Sequence, residues 1–186
     1  MRNRMGVGFV ILVLAVVAGS VAGCSSAIAG RAVPAPGAAV RKAAPRDIRA
    51  ACPLLPAGVV ESAYHAQNVT AQEQPSRESS GIPIFKCRYG GGGGHVLLEV
   101  AVLPDVSGVE DGFIGGVAKT GSGVRPVTGI GDTAELMHPG GNAKVDAMVV
   151  VKRTGGSVLG VLIAAPAKSG DEGILKDMVR RVYARF

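Results

Sequence analysis

An apolar run from Val7 to Val17 follows Arg2 and Arg4 and gives way to small residues at Ala22 and Gly23. Roughly a dozen residues is well short of the ~20 that an α-helix needs to cross hydrocarbon. A positive start, a short apolar core and small residues are the three parts of an export signal. Residues 1–23 are therefore expected to direct export and to take no part in the fold. That division sets the compartment, and the compartment decides what the cysteines can do.

Cys24 stands directly after the small residues, and Val21-Ala22-Gly23-Cys24 ahead of Ser25-Ser26 resembles the bacterial lipobox. The resemblance implies cleavage between Gly23 and Cys24, a thioether from Cys24 to diacylglycerol, and acylation of the new amino group by a chain such as palmitate. Each buried CH₂ contributes about 0.8 kcal/mol and one chain holds only marginally, so two or three chains make a durable tether. The competing reading, a small residue closing a spanning helix, has the wrong length. The chain beyond residue 23 is long enough for one domain and a linker. Its expected place is the extracytoplasmic face of the cell membrane, held through the N-terminal diacylglyceryl cysteine.

The chain has three cysteines. With Cys24 given to lipid, Cys52 and Cys87 remain as an even pair in an oxidising compartment, and a disulfide is expected. It closes a loop of some 35 residues and stabilises by roughly 3–4 kcal/mol through chain entropy. No Cys-x-x-Cys spacing suggests redox exchange. Tryptophan is absent and aromatics make up only 4%, so the core has to be built from Val, Leu, Ile and Ala. The net charge of +6 includes Arg2 and Arg4, which leave with the signal. The modest positive remainder suits the neighbourhood of anionic headgroups. No arginine-rich run or aromatic–basic interleaving marks a nucleic-acid partner.

Residues 24–46 are rich in Ala, Gly and Pro without apolar period and read as a lipidated tether. Residues 47–186 read as a single domain. Asp47 is expected to cap a turn through Ala51, and Pro56 to open a helix through Tyr64 with Val59 and Ala63 inward. Val69 to Gln74 reads as a weak edge strand, and the polar stretch from Gln74 to Gly81 as a loop. Ile82 to Tyr89 and His95 to Leu103 read as strands, with Ile84 on the face opposite Phe85 and Cys87. The glycines Gly90 to Gly94 between them read as a long flexible hairpin tip. Val106 to Lys119 has helical spacing, with Gly112, Gly115 and Gly116 placed against a sheet. Val124 to Val127 and Thr133 to Met137 are short strands, and His138 to Asn142 a turn. Ala147 to Lys152 and Ser157 to Ala165 form a hairpin. Ser169 to Phe186 is the clearest helix, capped by Ser169 or Asp171. Hairpins with separate helices imply an α+β fold: an antiparallel sheet with helices packed on one face and one disulfide.

The chemistry-bearing residues do not assemble in the sequence. Gly90 to Gly94 lacks the Lys-Ser/Thr and the helix that a phosphate loop needs. Gly129-Ile130-Gly131-Asp132 reads as a structural turn with Asp132 bonding its own backbone, ahead of a small anion nest. His65, His95 and His138 are scattered without acidic partners at ligand spacing, so no metal or cofactor is expected. No Gly-x-Ser-x-Gly is present. Glu110-Asp111 and Asp171-Glu172 read as solvated charges at helix starts, and the sequon Asn68-Val69-Thr70 as chance. No catalytic residue is expected, and an envelope hydrolase is the weakest of the functional readings.

The lipobox, Gly30-Arg31-Ala32-Val33-Pro34, Cys52-Pro53-Leu54-Leu55, Cys87-Arg88-Tyr89 and Gly129-Ile130-Gly131-Asp132-Thr133-Ala134 together resemble small actinobacterial, mycobacterial-type lipoproteins. The resemblance spans most of residues 47–186 and implies an extracytoplasmic α+β domain of unknown function with one disulfide. The function expected is a non-enzymatic, lipid-anchored binding or accessory module for a cell-envelope protein or an apolar ligand. The alternative is a lipid or glycolipid carrier with a cavity between the sheet and the Val106 to Lys119 helix.

Overall fold

Four consecutive β-branched or long apolar residues, Met148 to Val151, are all buried, and this explains the architecture around them. Alternate residues of a strand point to opposite faces, so such a run belongs to a strand covered on both. The computed structural model describes residues 44–91, 94–139, 145–154, 156–167 and 171–186. The expected export signal with Gly23, Cys24 and most of the expected tether lie outside these, as do residues 92–93 and Ser169.

Two short 3₁₀ turns, Pro45–Asp47 and Cys52–Leu54, lead into α1 (Ala57–Tyr64). Then come β1 (Thr70–Ser79), β2 (Ile82–Gly91), β3 (Gly94–Leu103), α2 (Val109–Ala118), β4 (Gly121–Pro126), β5 (Thr133–Pro139), β6 (Val145–Thr154), β7 (Ser157–Pro166) and α3 (Glu172–Tyr183). The seven strands form one sheet in the order β1-β2-β3-β7-β6-β5-β4, antiparallel throughout. Both ends of the chain order are hairpin meanders. α2 carries the chain from β3, mid-sheet, to β4 at the far edge, and β4 to β7 return until β7 closes on β3.

The helices cover both faces, where one was expected. Leu98, Val100, Met148, Val150, Val161 and Ile163 share a core with Val60 of α1 and with Leu175, Met178, Val179 and Val182 of α3. Ala101, Leu103, Ala147, Val149, Val151 and Val158 pack on the other side with Ile114 of α2, and Val109, Phe113 and Val117 join them. The physical reason is the unbroken apolar run of β6, which one covered face would leave half exposed.

On the α3 face, Asp171 caps the helix, its Oδ1 accepting from Gly173 N at 2.7 Å. The centre of the inward stripe of α1 is Val60, with Val59 only packed against the core. Cys52 and Cys87 are joined. Beside the bridge, Glu73 Oε1 and Oε2 accept from Ala51 N at 2.7 Å and Cys52 N at 2.9 Å. Tyr89 Oη donates to Leu55 O at 2.6 Å, so the first turns are pinned to β1 and β2 by covalent and polar bonds together. Pro45 is buried and starts its turn ahead of the one expected after Asp47.

Of the stretch expected to be a loop, Gln74 to Gly81, the part through Ser79 belongs to β1 and only Ser80 and Gly81 form a turn. β1 is an edge strand exposed along nearly its whole length, with its register broken between Gln74 and Arg77, where Pro75 sits. Polar composition, a proline and a bulge are how an edge strand avoids pairing with another chain, and they mimic a loop in sequence. The β1–β2 turn is two residues, Ser80 and Gly81, both with positive φ. The glycine tract is also shorter as a tip than expected. The β2–β3 ladder continues through Gly90↔His95 to Gly91↔Gly94.

Candidate functional site

The helix α2 was the element whose seating the sequence left open, and its seat is the reverse of the one expected. A Cβ added at Gly112, Gly115 or Gly116 would meet nothing within 4 Å, so these glycines do not face the sheet. The close approach is made by Gly160 of β7, where an added Cβ would lie 2.6 Å from Phe113 Cε1. The large side chain is on the helix and the missing one is on the strand. Arg153 at the end of β6 also holds the helix, pairing through Nε with Glu110 Oε1 at 2.8 Å and through Nη1 with Asp105. Glu110 is thus a clamp between α2 and β6, and not merely a solvated charge.

α2 packs over β4 to β7. Where its edge meets the β1–β2–β3 side of the same face, an open groove of about 600 Å³ remains. Its walls are Ile82, Ile84, Leu103 and Leu162 from the sheet and Val109, Phe113, Val117, Gly112 and Gly116 from the helix. Volume and lining are those of a site for one small ligand.

One end of the groove is polar. Lys86 Nζ is ion-paired with its cross-strand neighbour Glu99, and Arg77 Nη2 lies 3.7 Å from Glu99 Oε2. The Lys86 and Glu99 side chains are each only 19% exposed. Past them lies a second depression of about 500 Å³, lined by Gln74, Pro75, Arg77, Lys86, Arg88, His95 and Leu97 among others. Arg77 borders both spaces. At the opposite end the groove meets a further depression at the β1–β2 turn that includes Arg46 and Arg49. The cleft between α1 and α3 is smaller, about 260 Å³.

Cys24 and Gly23 lie outside the described residues; Cys52 and Cys87 come together as expected. The ligand atoms of Cys52, Glu73 and Cys87 cluster within 4.8 Å. Both sulfurs are spent on each other and both Glu73 oxygens on backbone N–H groups, so the cluster offers no free metal ligand. Asp132 Oδ2 accepts from Arg153 N at 2.7 Å, across to β6 and not from its own backbone. Gly129 and Gly131 take positive φ, and an added Cβ at Gly131 would lie 2.7 Å from Val151 O, so the turn presses on β6.

One pairing was not legible beforehand. His138 Nδ1 lies against Asp146, a buried carboxylate on the adjacent strand, without the geometry of a hydrogen bond to the oxygen it approaches. Met137↔Ala147 register makes the two residues cross-strand neighbours. Reading His138 as the start of a turn hid this. Ser122 stands opposite His138 on β4, but its Oγ donates to His138 O at 3.3 Å. The hydroxyl is committed to a carbonyl, and the row does not join a nucleophile to a base. Tyr64 is held at a pKa of about 12 by burial first and the Asp146 charge second.

Among the described residues no helix is long and apolar enough to cross a membrane. No protein-family profile, curated protein or solved structure matches this chain.

Proposed function

We propose that this chain is a non-enzymatic binding module, tethered through lipid on Cys24 to the extracytoplasmic face of the cell membrane, whose α2–sheet groove takes an apolar ligand. Of the two readings open in the sequence, this one leans toward the carrier. The observation that carries it is the groove itself: about 600 Å³ with apolar walls from both elements and an open helix edge at Gly112 and Gly116. The short apolar leader and Val21-Ala22-Gly23-Cys24 support the anchor. The Cys52–Cys87 bridge agrees with an oxidising compartment. Membership among the small actinobacterial lipoproteins belongs to the same proposal.

Residues 44–186 contain both cores and the disulfide, so the domain can be exported without its lipid and handled alone. Native mass spectrometry of that domain, purified gently from the native host, is the test. Extra mass that is lost on denaturation and is absent from a Gly116→Leu variant supports a ligand in the groove. A clean apo mass for the unaltered domain refutes it and redirects the search to protein partners. The anchor is tested separately: Cys24→Ser should accumulate as unprocessed precursor, and normal maturation of that variant would overturn it.

A further inference from the structure

We infer that the ligand of the groove is an anionic amphiphile: a single apolar chain lying against Ile84 and Leu103, with a phosphate or carboxylate head held by Arg77 and Arg88. This rests on the groove being the ligand site. The first observation is continuity. Arg77 lines both the apolar groove and the basic depression, so a chain lying in one delivers its head to the other.

The second is charge. Arg77 and Lys86 share one carboxylate, Glu99, Arg88 borders the same depression, and among the described residues no other acidic group pairs with any of the three. Glu99 takes Lys86 in close contact and Arg77 only at 3.7 Å. Two guanidinium groups therefore keep their donors for an incoming anion. Arg77 is 61% exposed and Arg88 is exposed, so an anion reaches them without unfolding anything. Guanidinium forks recognise phosphate and carboxylate in a bidentate manner that water and neutral heads do not match.

The third is asymmetry between the ends. At the other mouth of the groove the Arg49 guanidinium is already engaged, its Nη1 donating to Arg46 O and Ile48 O. Arg46 and Arg49 line only the neighbouring depression there, whereas Arg77 lines the groove itself, and this fixes which way the ligand lies. A volume of this size accommodates one alkyl chain. A neutral chain would leave the Arg77–Arg88 pair unused, and a cationic head would be repelled.

The test is titration calorimetry of the 44–186 domain with three probes: dodecyl phosphate, dodecanol and inorganic phosphate, the alkyl probes kept below micelle-forming concentrations. Dodecyl phosphate should bind at least about tenfold more tightly than dodecanol, and inorganic phosphate at least about a hundredfold more weakly than dodecyl phosphate. The double variant Arg77→Gln/Arg88→Gln, at exposed positions, should lose about tenfold for dodecyl phosphate and leave dodecanol unchanged. Gly116→Leu should weaken both alkyl probes. Equal affinity for dodecanol and dodecyl phosphate would overturn the anionic head while leaving the groove reading intact. Inorganic phosphate binding as tightly as dodecyl phosphate would reduce the site to a free-anion site. Failure of both alkyl probes to bind the unaltered domain would bring down the groove reading itself.

Discussion

Gly160→Ala tests what holds α2 above the sheet. The added Cβ would stand 2.6 Å from Phe113 Cε1, 2.8 Å from Cζ and 3.1 Å from Cδ1, where carbon atoms rest at about 3.5–4.0 Å. The ring has to withdraw by about 1 Å, and with it the helix that carries it. Overpacking of this kind costs about 1–3 kcal/mol. Against it stands the backbone entropy that glycine loses in a strand, about 0.5–1 kcal/mol in favour of Ala. The net expectation is destabilisation by about 1–2 kcal/mol, or about 2–6 °C in Tm for a domain of this size. Phe113→Ala alone removes a half-buried ring and should cost about 2 kcal/mol, below the 3–5 of a fully buried one. In the double variant the methyl enters the space the ring vacates, so Gly160→Ala becomes neutral or slightly stabilising there. The coupling should then be about 2 kcal/mol. Urea unfolding of the four proteins, with superposable transitions by two probes, measures it. Additivity to within about 0.5 kcal/mol would refute the claim that this one contact seats the helix, and with it the account of the groove's width.

Two further outcomes concern the buried groups. The chain's three tyrosines, Tyr64, Tyr89 and Tyr183, are all raised above the ordinary phenol range, by burial first and by the charges of Asp146, Glu73 and Asp132 respectively. Because the deprotonated form is the charged one, their contribution is complete below about pH 10; that of Tyr64 is lost as pH rises through about 12, and those of Tyr89 and Tyr183 over a range that extends higher. Near-ultraviolet difference absorbance, undisturbed by tryptophan, should show tyrosinate only as the domain unfolds; tyrosinate at pH 10 in a folded domain would contradict this. Reducing Cys52–Cys87 frees a loop of 35-residue separation and should destabilise by about 4 kcal/mol, roughly 10 °C in Tm, read by calorimetry. An unchanged melt would show that the bridge does not hold the first turns.

The disulfide was legible because it needs only a count and a compartment. Hairpins such as β6–β7 were legible because two apolar runs lie next to each other in the chain on either side of a glycine turn. What escaped were features set by neighbours distant in sequence. β1 looks like a loop because its polar residues are the protection of an edge, and an edge exists only once the sheet does. The glycines of α2 looked like a packing surface, yet the close contact is between Phe113 and Gly160, forty-odd residues away. His138 meets Asp146 only through the β5–β6 register. The all-apolar run of β6 did carry the two-sided burial in plain sight, since alternation would have been enough for one covered face.

Those helix glycines also bear on function. An Ala at Gly112, Gly115 or Gly116 would meet no atom within 4 Å, so sterics do not require glycine at any of the three. None has the positive φ that would require it either. Each costs the helix about 1 kcal/mol relative to Ala, close to 3 kcal/mol over ten residues of α2. A helix serving only to cover the sheet gains nothing from that loss. A helix that forms the low wall of a binding groove does, because side chains at Gly112 and Gly116 would project into the space that Ile82, Ile84 and Leu103 floor. Sheet geometry points the same way. Seven strands spaced ~4.8 Å apart span about 29 Å, and one helix of about 10 Å diameter cannot cover them. On the opposite face α1, α3 and the two 3₁₀ turns share the task. On the α2 face the uncovered strands carry apolar residues beside the helix and cations beyond it, the order in which an amphiphile's own parts are joined.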